Sequence, residues 1–175
     1  VFVTVAPILL DDVLLVTHNG YALRFYIEEV PVIGAKAAGV KAINLKGDDV
    51  VVSAFIANTK SIFILTQRGS LKRMSVNDLP QTKRAGRGLQ VLRELKAKPH
   101  RVFLAGPVFA ENGGAELDLF ATEVEEKQQI LQVQSQTGQI DEVNLTNLSL
   151  SERTSNGSFI SDSISDQGVF AAKVK

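Results

Sequence analysis

The chain has no cysteine and no tryptophan, one methionine, two histidines and two tyrosines among 175 residues. Without cysteine, disulfides, thiolate nucleophiles and cysteine-ligated zinc are excluded. A chain of this kind fits a reducing compartment. His18 and His100 fall in a predicted turn and a predicted loop, far apart in sequence and without metal-ligand spacing. No apolar run reaches the ~18 residues of a membrane span. The start, VFVTVAPILL, has no basic flank and is broken by Pro7, so it does not read as a signal peptide. Beginning at Val1 and not at Met, the chain reads as a fragment of something longer. There is no GxxxxGK[ST] loop. Gly86-Arg87-Gly88 in KRAGRGLQ lacks the remaining glycines of a dinucleotide loop, and no helical pattern follows it. Asp48-Asp49 and Glu125-Glu126 are adjacent carboxylates in predicted loops, which face solvent, and nothing near Tyr21 or Tyr26 would activate a phenol. No convergent acid, base or metal set supports an enzyme of its own on this chain, a hydrolase included.

Present in quantity are short β-branched runs punctuated by turns. A turn-centred pattern occurs three times, as VLLVTHNGYALR (13–24), IFILTQRGSLKR (62–73) and LQVQSQTGQIDE (131–142). Each is an apolar run, a Thr or Ser, two polar residues, a glycine and a second strand-like run. Twenty-two residues after Thr17, Thr66 and Ser135 stands another glycine: Gly39, Gly88 and Gly157. A shared internal spacing marks an array of like units.

The chain length allows one large domain or several small repeats. Turn signals every ~8–12 residues with valine- and isoleucine-rich runs between them predict an all-β protein. Asn19-Gly20 predicts a two-residue hairpin turn in which both residues take positive φ; Arg68-Gly69 and Thr137-Gly138 hold the same place. VVVSAFI (50–56), RVFLAGPV (101–108) and GVFAAKV (168–174) read as strands closing the three units, and VFVTVAP at the start as the last strand of a preceding unit. The repeats run over about 8–57, 58–108 and 109–175, with residues 1–7 as the orphan strand. LDLFATEV, within the longer third unit, reads as an added strand. Helix is scarce: Ser75–Leu79 predicts one turn, with Ser75 as N-cap and Pro80 as stop, and IEEVP and EVNLTNLSL predict similar turns. Repeats of ~50 residues with about four short strands suggest propeller-type blades around an axis, each burying its faces against its neighbours.

The zero net charge conceals a strong asymmetry. Residues 60–101 hold eleven basic residues against Asp78 and Glu94, whereas residues 102–175 hold four basic against eleven acidic. The basic block reads as a polyanion surface or, alternatively, as a solvated face that serves solubility. Phe63 is its one aromatic. Stacking on single-stranded bases uses more aromatics than that, whereas backbone-directed binding of duplex DNA needs cations on a rigid scaffold. A propeller-like module that docks a protein through its acidic third repeat is the competing reading.

LVTHNGYALRF with EEVPVIGAKAAGVKAINLKGDDVVV, and FILTQRGSLKRMSVNDLPQTKRAGRGLQVLRELKAKPHRV after it, resemble repeats of the C-terminal domain of bacterial type IIA topoisomerase A subunits. LSERTSNGSFISD resembles the last repeat of the topoisomerase IV branch, Gram-positive members in particular. The Gln-Arg-Arg-Gly-Gly-Lys-Gly box of the gyrase branch is missing, which favours topoisomerase IV. The resemblance implies a β-pinwheel, here a partial one of about three blades, with strands exchanged between neighbours. It implies a single non-catalytic domain over 1–175 that binds and bends duplex DNA for strand passage, decatenation and supercoil relaxation. The partners it implies are duplex DNA, the homodimeric A-subunit core and the B subunit. No cofactor is expected in this domain, ATP and Mg2+ belonging to the rest of the enzyme, and the setting is the bacterial cytoplasm at the nucleoid. The DNA contacts it implies are Arg24, Lys36 and Lys41 in the first repeat and Arg68, Lys72, Arg73, Lys83, Arg84 and Arg87 in the second. In the third repeat it implies Arg153, while Asp141 and Glu142 stand where the second has Lys72 and Arg73.

Overall fold

A computed structural model describes residues 12–34, 36–109 and 128–175. Its strands are β1 (Asp12–Thr17), β2 (Tyr21–Tyr26), β3 (Val51–Ile56), β4 (Ser61–Thr66), β5 (Ser70–Ser75), β6 (Leu89–Gln90), β7 (Val102–Val108), β8 (Ile130–Ser135), β9 (Ile140–Asn144), β10 (Ser158–Phe159) and β11 (Val169–Val174), with one short helix, α1 (Asp162–Gln167). They form three antiparallel sheets in the orders β3-β1-β2-β6, β10-β5-β4-β7 and β11-β8-β9. Each unit has the closing strand that the sequence predicts, and the structure pairs it with the outer side of the hairpin's first strand. The fourth strand of the first two sheets comes from the following repeat: β6 pairs with β2 through Tyr21↔Gln90 and Ala22↔Leu89, and β10 pairs with β5 through Ser158↔Leu71 and Phe159↔Ser70. The units are therefore blades of a β-pinwheel. The orphan strand 1–7 and the added strand LDLFATEV lie outside the described residues.

The hairpins form for a reason different from the expected one. Asn19 is not in the left-handed region; among the described non-glycine residues only Ala85 and Lys98 are. Instead Gly20 N–H donates to Thr17 O (3.0 Å) and Gly69 N–H to Thr66 O (2.9 Å). The two glycines take φ of +83° and +78°. Each loop is thus a tight turn followed by a left-handed glycine. The threonine hydroxyls complete it: Thr17 Oγ1 accepts from Tyr21 N–H (3.2 Å) and Thr66 Oγ1 from Ser70 N–H (3.1 Å). Thr-x-x-Gly is the chain's own turn code, and the residue before glycine is free to vary.

β4 is buried along its whole length, because it is the central strand of the middle blade and packs on both faces. Ile62 and Ile64 join Leu14, Val16, Met74 and Val102 in the core between the first two blades. Phe63 and Leu65 face the other way, into the core with Leu131, Val133, Leu145 and Val169 of the third. A smaller cluster of Leu15, Leu23, Phe25 and Ile43 lies on the far side of the first blade. A large-to-small change in either main core, such as Ile64→Ala, costs about 2–5 kcal/mol.

The predicted turn after Ser75 is a 3-10 helix at Val76–Asp78, whose N-cap Ser75 Oγ accepts from Asn77 N–H (3.1 Å); another spans Ile27–Glu29. The EVNLTNLSL segment makes a simple turn in place of a helical one, with Leu148 N–H on Leu145 O. Sequence reasoning did not anticipate α1. Ser161 caps it, its hydroxyl accepting from Ile164 N–H, and Ile164 is buried against the third hairpin.

Candidate nucleic-acid interface

The basic residues divide into those that hold blades together and those that face solvent. Each of the first two return strands carries an arginine as its fourth residue. Arg24 Nε donates to Asp12 Oδ2 (2.5 Å), and its Nη1 reaches Val76 O and Leu79 O (both 3.3 Å) in the next repeat. Arg73 repeats this one blade on: Nε donates to Ser61 Oγ (2.8 Å) and Nη1 to Thr146 O (2.6 Å) and Leu148 O (3.4 Å). Both are staples across a seam. Arg84 and Arg153 form a second pair, one in each glycine loop. Arg84 Nη1 donates to Lys41 O and its Nε to Glu29 O (3.0 Å), while its backbone N–H donates to Glu29 Oε2 (2.7 Å). Arg153 Nη1 donates to Gln90 O.

Lys72 is only 2% exposed. Its Nζ donates to Val91 O (2.5 Å), Arg153 O (2.6 Å) and Ser155 O (2.8 Å), with Glu152 O at 3.4 Å. Burial, reinforced by the Arg153 guanidinium, lowers its pKa from the ordinary lysine range to about 7; the carbonyl cage opposes that shift by favouring the ammonium. An amine enclosed in this way cannot reach a phosphate outside. The expectation that Lys72 contacts DNA is therefore corrected: it ties the second hairpin to the third repeat's loop. Arg24, Arg73, Arg84 and Arg153 are likewise spent on backbone carbonyls within the fold.

Arg68 is intermediate. Its Nη1 donates to Lys98 O (3.0 Å) and lies 3.1 Å from His100 Nε2, and the guanidinium sits over the Phe159 ring at 5.5 Å. Burial first, and Arg68 second, lower the His100 pKa below the usual histidine range.

Four of the predicted contacts are exposed: Lys36, Lys41, Lys83 and Arg87. The backbone brings their segments together. The glycine loop of the second repeat runs alongside the long connection of the first, with Ala85 N–H on Ala42 O and Asn44 N–H on Gly86 O (both 2.8 Å). Gly88 makes the approach possible: a Cβ there would lie 2.5 Å from Ala22 O, and its φ is +83°. A cleft of about 420 Å³ lies between this loop and β2, lined by Leu23, Leu79, Lys83, Arg84 and Arg87 among others. Arg87 is preset at its mouth, with Nη2 donating to Tyr21 Oη (2.9 Å) and the guanidinium 4.4 Å above the ring. Tyr21 as this platform was missed by sequence reasoning; only the β2–β6 register brings it beside the loop. Arg93, Lys96 and Lys98, which belong to the basic block, are also exposed. Among the described residues no His, Asp or Glu cluster could hold a metal ion, and no helix is long and apolar enough to cross a membrane.

Antiparallel blades completed by strands from their successors, with a glycine loop at each junction and a cationic one between the first two, define a propeller-like repeat domain. The family model described as "DNA gyrase C-terminal domain, beta-propeller" matches residues 11–58 and 60–108. The chain belongs to that family. It is 68% identical over 170 residues to the DNA topoisomerase 4 A subunit of Streptococcus pneumoniae, covering 97% of this chain and 20% of that protein. It is 61% identical over 175 residues to the same-named protein of Streptococcus pyogenes, covering 99% of this chain and 21% of that one. The chain thus spans about a fifth of the length of these curated relatives. Among solved structures, the crystal structure of the C-terminal domain of DNA topoisomerase IV superposes with a TM-score of 0.79 at 34% identity, covering 95% of this chain and 47% of that one. The resemblance to the topoisomerase IV branch is borne out by these relatives.

Proposed function

We propose that this chain is a DNA-binding and DNA-bending domain of a topoisomerase IV A subunit, with no chemistry of its own. It would position duplex DNA for the strand passage, decatenation and supercoil relaxation carried out by the rest of the enzyme. On this reading ATP and Mg2+ would be bound elsewhere in that enzyme, the domain's partners would be the homodimeric A-subunit core and the B subunit besides duplex DNA, and the enzyme would act at the chromosome in the bacterial cytoplasm. The observation that carries this reading is the hydrogen-bonded junction of two repeats, which presents Lys41, Lys83 and Arg87 to solvent together. Lys36 is on the same connection as Lys41. Such a site engages the phosphate backbone without reading bases, so binding is sequence-tolerant and salt-sensitive.

The test is a salt titration of duplex binding. Lys83→Gln with Arg87→Gln weakens binding and lowers the slope of log K against log salt by about 2, at ~0.9 per phosphate contact. Arg84→Gln, by contrast, lowers stability first. Unchanged affinity and slope in the double variant would falsify the assignment. A chain that does not retard plain duplex at low salt is a protein-interaction module instead.

A further inference from the structure

Arg87 is exposed, yet its side chain is held in one place. Nη2 donates to Tyr21 Oη (2.9 Å), and the guanidinium carbon lies 4.4 Å from the centre of the Tyr21 ring. Among the described residues this is its one side-chain hydrogen bond, and it has no ion pair. A free arginine on a surface loop loses rotamer freedom when it grips a phosphate, and that loss weakens binding. Stacking on an aromatic face removes much of the loss in advance. The hydroxyl takes one of the two N–H groups on Nη2. The other belongs to a different edge of the guanidinium, so one two-pronged edge stays complete for phosphate oxygens.

Tyr21 is itself fixed. It opens β2 directly after the hairpin glycine, its N–H donates to Thr17 Oγ1 (3.2 Å), and it pairs with Gln90 of β6. Gln90 lies three residues beyond Arg87. The exchanged strand therefore locks ring and guanidinium together across two repeats.

The next junction is the internal control. There Ser70 stands in the place of Tyr21, paired with Phe159 of β10, and Asn156 stands in the place of Arg87. Ser70 is buried and offers no ring. Asn156 turns back onto the backbone, its Oδ1 accepting from Arg93 N–H (2.8 Å). Aromatic and cation are absent together, at positions far apart in sequence.

On the duplex-binding reading above, we propose that Tyr21 is a positioning residue for DNA, which presets the Arg87 guanidinium as a rigid two-pronged clamp on one backbone phosphate. An uncharged side chain thus sets part of the affinity. The clamp depends on shape as well as charge, so Arg87→Lys keeps the charge and loses the grip.

The test is a double-variant cycle on the whole chain, with duplex affinity and its salt dependence read by fluorescence anisotropy and folding checked by thermal melts. Tyr21→Leu is expected to weaken binding about three- to tenfold. The slope of log K against log salt stays as in the parent, because no cation is lost. Tyr21→Phe keeps the ring and is expected to restore most of the affinity. Arg87→Lys is expected to weaken binding as Tyr21→Leu does, again at the parent slope, whereas Arg87→Gln lowers the slope by about 0.9. In an Arg87→Gln background, Tyr21→Leu is expected to cost nothing further. The proposal is overturned by a Tyr21→Leu chain that binds like the parent, or by one whose loss is equal with and without Arg87→Gln. Should Tyr21→Leu fail to fold, Arg87→Lys decides: binding equal to the parent overturns the clamp. In each of these cases a weakened Arg87→Gln chain leaves the DNA reading standing, and parent-like binding by Arg87→Gln removes Arg87 from the DNA surface along with the clamp.

Discussion

The glycine loops of the second and third repeats, Lys83–Gly88 and Glu152–Gly157, are built alike but differ in charge: the first carries three cations and no acid, the second one cation balanced by Glu152. Both end in a left-handed glycine wedged on a preceding carbonyl, and both use an arginine, Arg84 or Arg153, to grip the backbone of the exchange segment one repeat earlier. Yet Lys83 and Arg87 of the first loop are replaced by Glu152 and Asn156 in the second. The inward cation is architecture and the outward cation is the one left to solvent, where the proposed DNA surface lies. A loop can lose the latter while its blade still closes, so counting basic residues overstates the interface unless the two roles are separated.

That comparison breaks most sharply at the glycines. Gly157→Ala or Gly88→Ala forces a Cβ into a backbone carbonyl, and urea unfolding should show a loss of about 3 kcal/mol or more. Gly39→Ala meets open space, so only its positive φ matters and the loss should be about 1 kcal/mol.

The next effect separates Lys72 from the outward lysines. Its pKa in the fold, about 7, lies below its ordinary value of 10.5. Between those values the unfolded chain holds a proton that the folded chain has released, so stability rises with pH across that window, at up to about 1.4 kcal/mol per pH unit. Below about pH 7 the amine is charged in both states and the full burial cost remains. Denaturant melts from pH 6 to 10 should show the rise in the parent chain and its loss in Lys72→Met.

Exchanging the outward charges comes third. Lys83→Glu with Arg87→Asn should lower duplex affinity by roughly tenfold or more at moderate salt, and Glu152→Lys with Asn156→Arg should raise it by a comparable factor. Fluorescence anisotropy with a labelled duplex measures both, and a null result in the second pair would place the third loop away from the DNA path.

The smallest effect tests a backbone difference between the loops. Ala85 sits at φ +63°, whereas Thr154 at the equivalent place does not enter that region. Ala85→Gly should stabilise the chain by about 0.5–1 kcal/mol in thermal melts, with DNA affinity unchanged.

Much of this architecture was legible in the chain itself. Thr17, Thr66 and Ser135 with their glycines located the hairpins, and Gly39, Gly88 and Gly157 marked the repeat, although nothing in the sequence said that strands are exchanged just after the last two. β6 and β10 were not legible, because two residues of strand carry no periodicity and their partners lie in another repeat. α1 escaped because its six residues offer one apolar anchor, Ile164. Within the site, Lys83 and Arg87 were found by their company of glycines. Lys72 was misplaced because Lys72-Arg73 reads as a solvated pair. Its burial depends on three carbonyls from a loop some eighty residues onward, which local pattern cannot report.

Because each of the first two sheets is finished by its successor, the molecule has a built-in order of assembly. During synthesis the first blade stays three strands wide until Gln90 has cleared the ribosome, and the second waits for Phe159. A nascent chain stalled between those points exposes one ready edge at a time, and that edge accepts its own continuation as soon as it emerges. Maturation proceeds like a zipper drawn from the amino end, and a break in the polypeptide between two units would leave the earlier one dependent on a strand no longer tethered to it.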